Sequence, residues 1–188
     1  AKMIALYWGG AMIGRFYASF MLSNVEKAKK NLYAVFVLIL AFLVGWYIRK
    51  EITDGLIFIG IAFVNYLAIQ LGRGKANRTL AVFAIIAAML ALATMIVPSG
   101  LILWVGCSIG FFNSVMFPNI FALGVDGLDK GELSMASGLI NTLIVGGAIV
   151  PVLMGLMADG FGVRFSFILP VICYGYILFF AVAGSKHR

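Results

Sequence analysis

The chain has 188 residues, of which 63% are apolar and 11% charged, with a net charge of +7 and a mean hydropathy of +1.09. An average soluble domain is about half apolar and a quarter charged, so this composition excludes a water-soluble globular domain and points to lipid as the solvent. At about 20 residues per crossing there is room for six or seven helices and for no sizeable soluble domain. Ala1 already stands inside an apolar run without an initiator Met, and the chain is therefore expected to be a fragment.

With charges and turn residues as punctuation, seven apolar runs follow one another at 3–22, 32–48, 55–71, 80–97, 101–124, 135–158 and 165–183. The first run has no basic start and carries Arg15, so it does not read as a signal peptide. Barrel strands alternate apolar and polar residues over about ten positions, whereas these runs are continuous. The expected fold class is an all-α membrane protein, a polytopic transmembrane helical bundle of seven helices. Short connections such as Val97-Pro98-Ser99-Gly100 make consecutive helices antiparallel neighbours.

Orientation follows from the basic residues of the connections. Lys27, Lys29, Lys30, Arg73, Lys75, Arg78, Lys130, Lys186 and Arg188 fall on one side; Lys2, Arg49, Lys50 and Arg164 fall on the other. The carboxy terminus is thus expected in the cytoplasm, and the first helix runs from outside to inside in a multi-pass plasma-membrane protein. This distribution accounts for the positive charge by topology, since no basic patch suited to nucleic acid lies on a soluble face.

Cys107 and Cys173 lie within apolar runs at no metal-ligand or pairing interval, and the single histidine, His187, is in the polar tail. No metal site, no cofactor and no embedded enzyme is expected. Glu26, Glu51, Asp54, Asp126, Asp129, Glu132 and Asp159 map to loops or helix ends, so no carboxylate is expected at the bilayer midplane. A retinal-binding reading fails because no lysine lies inside a helix to form a Schiff base.

Polar groups in hydrocarbon need partners. Arg15 is the only charge clearly inside a run, readable as a cytoplasmic gate bonded to carbonyls or as a snorkelling anchor. In the fifth run, Asn113 lies near the middle and Phe117, four residues on, shares its face. Asn119 is displaced by about 240°. Pro118 has no N–H and deprives the Ser114 carbonyl of its helical donor. An amide and an aromatic ring beside a freed carbonyl suit a neutral polyhydroxyl ligand, because hydroxyls donate and accept as an amide does. The bland alternative is that the two asparagines join helices. Gly9-Gly10-Ala11 in the first run and Gly146-Gly147-Ala148 in the sixth match in two helices that cross in opposite senses, as in inverted-repeat transporters. Pro151 frees the carbonyl of Gly147.

Tyr7-Trp8-Gly9-Gly10-Ala11-Met12-Ile13-Gly14-Arg15-Phe16, Phe112-Asn113-Ser114-Val115-Met116-Phe117-Pro118-Asn119, Ile144-Val145-Gly146-Gly147-Ala148-Ile149-Val150-Pro151 and Phe167-Ile168-Leu169-Pro170-Val171-Ile172-Cys173-Tyr174 occur in this order. Together they resemble the fucose:proton symporter family of the major facilitator superfamily, and its glucose/galactose transporters above all. The resemblance covers 1–23 and 78–185. It implies the carboxy-terminal half of a twelve-helix sugar:cation symporter, with a proton as the expected coupling ion and a hexose or fucose as substrate. The first run would be the eighth helix, and the coupling carboxylates would lie in the amino-terminal half, the missing partner. Residues 24–77 would be an added helix pair at the lipid-facing edge. Where relatives are apolar, this chain has Asn141-Thr142. The expected substrate-binding residues are Asn113, Phe117 and Trp8, then Asn119, Asn141 and Tyr7. Gly9, Gly10, Gly146 and Gly147 would serve close packing, Pro118 and Pro151 the helix breaks, and Arg15 the gate. The alternative reading is a complete seven-helix membrane channel or scaffold.

Overall fold

The structure is a computed structural model, and it describes residues 2–21 and 26–186. Leu22, His187 and Arg188 lie outside the described residues. All regular structure among those described is helical: α1 (Lys2–Met21), α2 (Lys27–Arg49), α3 (Ile52–Leu71), α4 (Ala76–Ile96), α5 (Ser99–Asn113), α6 (Met116–Val125), α7 (Lys130–Thr142), α8 (Gly146–Phe161), α9 (Val163–Ser166) and α10 (Ile168–Val182). Six helical spans are long and apolar enough to cross a membrane. They are Ala28–Arg49, Ile52–Leu71, Ala76–Ile96, Ser99–Val125, Lys130–Phe161 and Val163–Val182, and α1 adds a further 20-residue helix. The expectation of an all-α membrane bundle therefore holds, with every apolar run helical and six of the seven, among the described residues, long and apolar enough to cross a membrane.

The boundaries differ from the sequence reading where polar residues prove compatible with a helix. The first turn of α2 takes in Lys27 to Lys30, and α3 starts before Gly55, so that Asp54 lies in its first turn. Asp54 is largely buried and accepts a hydrogen bond from Nε of Arg49 at 2.8 Å, tying the α2–α3 hairpin together. Lys50, with φ 68°, turns the chain between them, and its ammonium lies 4.0 Å from the ring centre of Tyr47. At the opposite end, Asp129 caps α7 by accepting from the N–H groups of Gly131 and Glu132, both at 2.9 Å. The hydroxyls of Thr79, Thr94 and Ser108 bond to the carbonyl one turn earlier, which lets them sit in apolar spans without an outside partner.

Two runs read as single helices are interrupted. The fifth breaks at Ser114–Val115 into α5 and α6; the sixth passes through a 3₁₀ turn at Leu143–Val145 between α7 and α8. Pro118 explains the first break, because its nitrogen cannot donate to the Ser114 carbonyl. Pro151 lies inside α8, downstream of the second break.

The core lies where α1, α3, α4 and α5 meet, with Leu6, Ile13, Tyr17, Phe58, Phe83 and Phe111 all essentially inaccessible. Phe111 is packed edge-on against Phe58 at 5.0 Å, and Phe83 against Phe112 at 5.4 Å. Helix α10 packs along α4. The two helices of the expected pair differ in how far they are packed within the chain. Helix α2 is the outer member, whereas α3 is wedged against α1, α4 and α5 and buries Phe58, Ala62, Asn65 and Ala68. In contrast, the span Lys130–Phe161 buries none of its apolar length against the rest of the chain.

Candidate functional site

The site is built where α1 and α5 approach most closely. A methyl group at Gly10 would stand 2.7 Å from the Phe111 ring, and one at Gly9 would stand 2.8 Å from Cγ1 of Val44 on α2. Lower along the same stripe, Gly14 lies against Ser114 and the Phe111 carbonyl, and Gly110 lies against the Tyr7 carbonyl. Small residues let two backbones meet, and this contact carries Tyr7 of α1 up to Asn113 at the end of α5.

Asn113 donates from Nδ2 to the Tyr7 hydroxyl at 2.8 Å, and its Oδ1 accepts from the Tyr174 hydroxyl at 2.9 Å. Three helices that are remote in sequence thus converge on one amide. It is the last residue of the 15-residue α5 within the 27-residue span Ser99–Val125, which puts it near the middle of the membrane. Tyr7, Asn113 and Tyr174 line a cavity of about 510 Å³ together with Trp8, Cys107 and Met154 among others, and no lining residue is ionised. Trp8 is 63% exposed, and its ring stands perpendicular to that of Tyr7 with the centres 5.6 Å apart.

The chemistry of this chain of hydrogen bonds is specific. The Tyr7 oxygen accepts from the amide, so its own O–H remains free to donate. The Tyr174 O–H is spent on the amide, so its lone pairs remain free to accept. Turning the amide over exchanges the two roles without changing the result. The cavity therefore offers one donor and one acceptor, both uncharged, on either side of Asn113.

The remaining expected residues are distributed differently. Phe117 is 40% exposed and lies beside Phe121, ring centres 6.2 Å apart. It does not line the Asn113 cavity, although the four-residue spacing predicts a shared face; the turn at Ser114–Val115 interrupts the helix between the two residues. Asn119 and Pro118 line a second cavity of about 440 Å³ with Arg15, Ser19 and Ser114. There Arg15 donates from Nε to the Ser114 carbonyl at 3.2 Å, the group left without a helical donor by Pro118. Asn119 is buried, and its Nδ2 has no hydrogen-bond partner among the described residues. Asn141 is exposed on α7 and lines none of the described cavities. Gly146 and Gly147 have no neighbouring atom within 4 Å of where a Cβ would stand, so the close packing expected of them is not formed within the described residues, unlike that of Gly9 and Gly10. Pro151 is likewise exposed.

Sequence reasoning gave Tyr174 no role, although it stands in a quoted motif. A phenol in an otherwise apolar helix was the available signal. Asn65, a fully buried amide in the third run, was also passed over.

No protein-family model and no solved structure matches the chain. Curated relatives do. A glucose/galactose transporter of Brucella abortus (strain 9-941) is 32% identical over 186 residues, covering 99% of this chain and 33% of the relative. The L-fucose-proton symporter of Escherichia coli (strain K12) is 32% identical over 119 residues, 62% of this chain and 26% of the relative. That of Haemophilus influenzae (strain ATCC 51907) is 38% identical over 81 residues, 40% of this chain and 19% of the relative. The chain is similar to these sugar transporters and fucose-proton symporters, which are members of the major facilitator superfamily. It spans about a third of the length of the first of these relatives, an extent consistent with a carboxy-terminal half. These relatives are transporters, and the apolar helical spans described above agree with a multi-pass membrane protein.

Proposed function

We propose that the full-length protein is a secondary active transporter that imports a sugar, a hexose such as glucose or galactose or else fucose, by proton symport. The observation that carries this reading is the uncharged Tyr7–Asn113–Tyr174 chain facing a midmembrane cavity. Neighbouring sugar hydroxyls need a donor and an acceptor at close range, and the two phenols supply one of each. The Trp8 face suits the apolar side of a pyranose ring. The absence of an ionised group among the lining residues suits a neutral ligand and spares the cavity the cost of burying an unpaired charge. The names of the relatives, two sugar-transporting types of one family, support the same substrate class.

Alternating access would rock this half against a partner half around the midplane site, as in other carriers built from repeats. The break between α5 and α6 lies directly beside Asn113, so a movement of α6 reaches the site without being transmitted through a continuous helix. The carboxylates of this chain stand at helix ends and connections, so in this reading the proton-binding acid belongs to the partner half. In this reading the carboxy terminus lies in the cytoplasm and the protein in the plasma membrane, for a bacterium the inner one; the bias of basic residues among the connections supports it.

The test is transport by the full-length protein in proteoliposomes. Adding galactose, glucose or fucose outside is expected to give sugar entry together with alkalinisation of the unbuffered outer medium. Sugar entry without proton uptake would remove the coupling, and no entry of any of the three would remove the transporter reading.

A further inference from the structure

The helix pair α2–α3 has no assigned role, yet α3 reaches the break in the α5–α6 span. Asn65 is wholly inaccessible and donates from Nδ2 to the Phe111 carbonyl at 3.1 Å. Phe111 is two residues before Asn113 and three before Ser114, so this carbonyl belongs to the last turn of α5. It also accepts from the Ser114 hydroxyl at 2.6 Å, while Arg15 serves the carbonyl of Ser114 itself. Three side chains thus serve two carbonyls at the break, those of Phe111 and Ser114. Irregular backbone at membrane depth requires such replacement.

We propose that Asn65 is a positioning residue for the sugar site: by holding the Phe111 carbonyl it fixes the end of α5, and with it the orientation of the Asn113 amide between Tyr7 and Tyr174. The proposal rests on the transporter reading for the word sugar and on geometry alone for the bracing. Mere filling of space does not account for an amide here. Its Oδ1 is buried without a partner among the described residues, and a leucine of similar volume would fill the place without adding a polar atom of its own. The amide orientation is settled by its partner, since a carbonyl accepts and only Nδ2 donates. Phe58, on the same helix, packs on the ring of the same Phe111 at 5.0 Å, so α3 grips this residue by both its carbonyl and its side chain. The pair α2–α3 is then a strut whose outer helix carries the inner one, and the inner one holds the break.

The experiment compares full-length wild type with Asn65→Leu, and with Asn65→Ala should the leucine variant not accumulate. Two quantities are measured: hydrogen–deuterium exchange by mass spectrometry, and galactose, glucose and fucose affinity by calorimetry. Faster exchange confined to a peptide spanning 111–117, with α4 and α10 unchanged, is expected. Sugar affinity is expected to fall about three- to tenfold, the scale of one net hydrogen bond. Unchanged exchange across 111–117 would overturn the bracing. Faster exchange there with wild-type sugar affinity would overturn the positioning role, as would faster exchange spread evenly over the bundle. If the wild type binds none of the three sugars, it is the transporter reading that falls, and the exchange result still decides whether Asn65 braces the break.

Discussion

Asn113→Leu is expected to weaken sugar binding by the full-length protein about ten- to a hundredfold. The substitution nearly conserves volume, so the effect measures the amide itself. It removes the donor to Tyr7 and the acceptor for Tyr174 and leaves both phenols facing an apolar side chain. An orphaned buried polar group costs about 1–3 kcal/mol, and every 1.4 kcal/mol is about tenfold in affinity. Tyr7→Phe and Tyr174→Phe remove one hydroxyl each and are expected to cost about three- to tenfold. The three groups form one chain, so each phenylalanine variant made in the Asn113→Leu background should cost less than it does alone. Equilibrium binding by calorimetry checks both points. Wild-type affinity in Asn113→Leu would take Asn113 out of the site.

The second large effect is on stability. At Gly14 a methyl group would stand 2.7 Å from the Phe111 carbonyl oxygen and 2.9 Å from Cβ of Ser114. At Gly110 it would meet the Tyr7 carbonyl oxygen, with the carbonyl carbon at 3.1 Å. Backbone atoms cannot rotate out of the way, so α1 and α5 must separate to admit even an alanine. Overpacking of this kind costs about 1–3 kcal/mol. Gly14→Ala and Gly110→Ala should therefore each lower the melting temperature of the full-length protein in detergent by several degrees. Gly175→Ala is the control, because nothing lies within 4 Å of its added methyl; its melting temperature should be unchanged or slightly higher, as alanine is the better helix former. Separation of α1 from α5 also draws Tyr7 from Asn113, so sugar affinity should fall in the two destabilised variants and not in the control.

Much of this architecture is legible in the residues themselves. Continuous apolar runs punctuated by charge reveal the spans, since lipid leaves the backbone few alternatives. Pro118 announces the freed Ser114 carbonyl, and the only charge within a run, Arg15, is the group that answers it. The pairing of Tyr7, Asn113 and Tyr174 is not legible. Residues 106 and 61 positions apart meet through helix packing that no local period records. The expected alliance of Asn113 with Phe117 fails for a related reason: the four-residue register assumes an unbroken helix, and the same proline that frees the carbonyl lies beyond a break in that helix. Gly9-Gly10-Ala11 and Gly146-Gly147-Ala148 show the limit of a shared motif. Identical residues sit in a crowded helix contact in one case and on an open face in the other.

Sugar is expected to occupy the cavity beside the Tyr7–Asn113–Tyr174 chain. Gly106 lines that cavity, and nothing within 4 Å would crowd a side chain placed there. The direct measurement is the rate of maleimide labelling of Gly106→Cys in a full-length carrier otherwise free of cysteine, with and without galactose, glucose or fucose. The transported sugar is predicted to slow labelling in proportion to its occupancy, with half-protection at the concentration that half-saturates transport. Labelling at the same rate under saturating sugar, in a carrier that still transports it, would contradict the assignment.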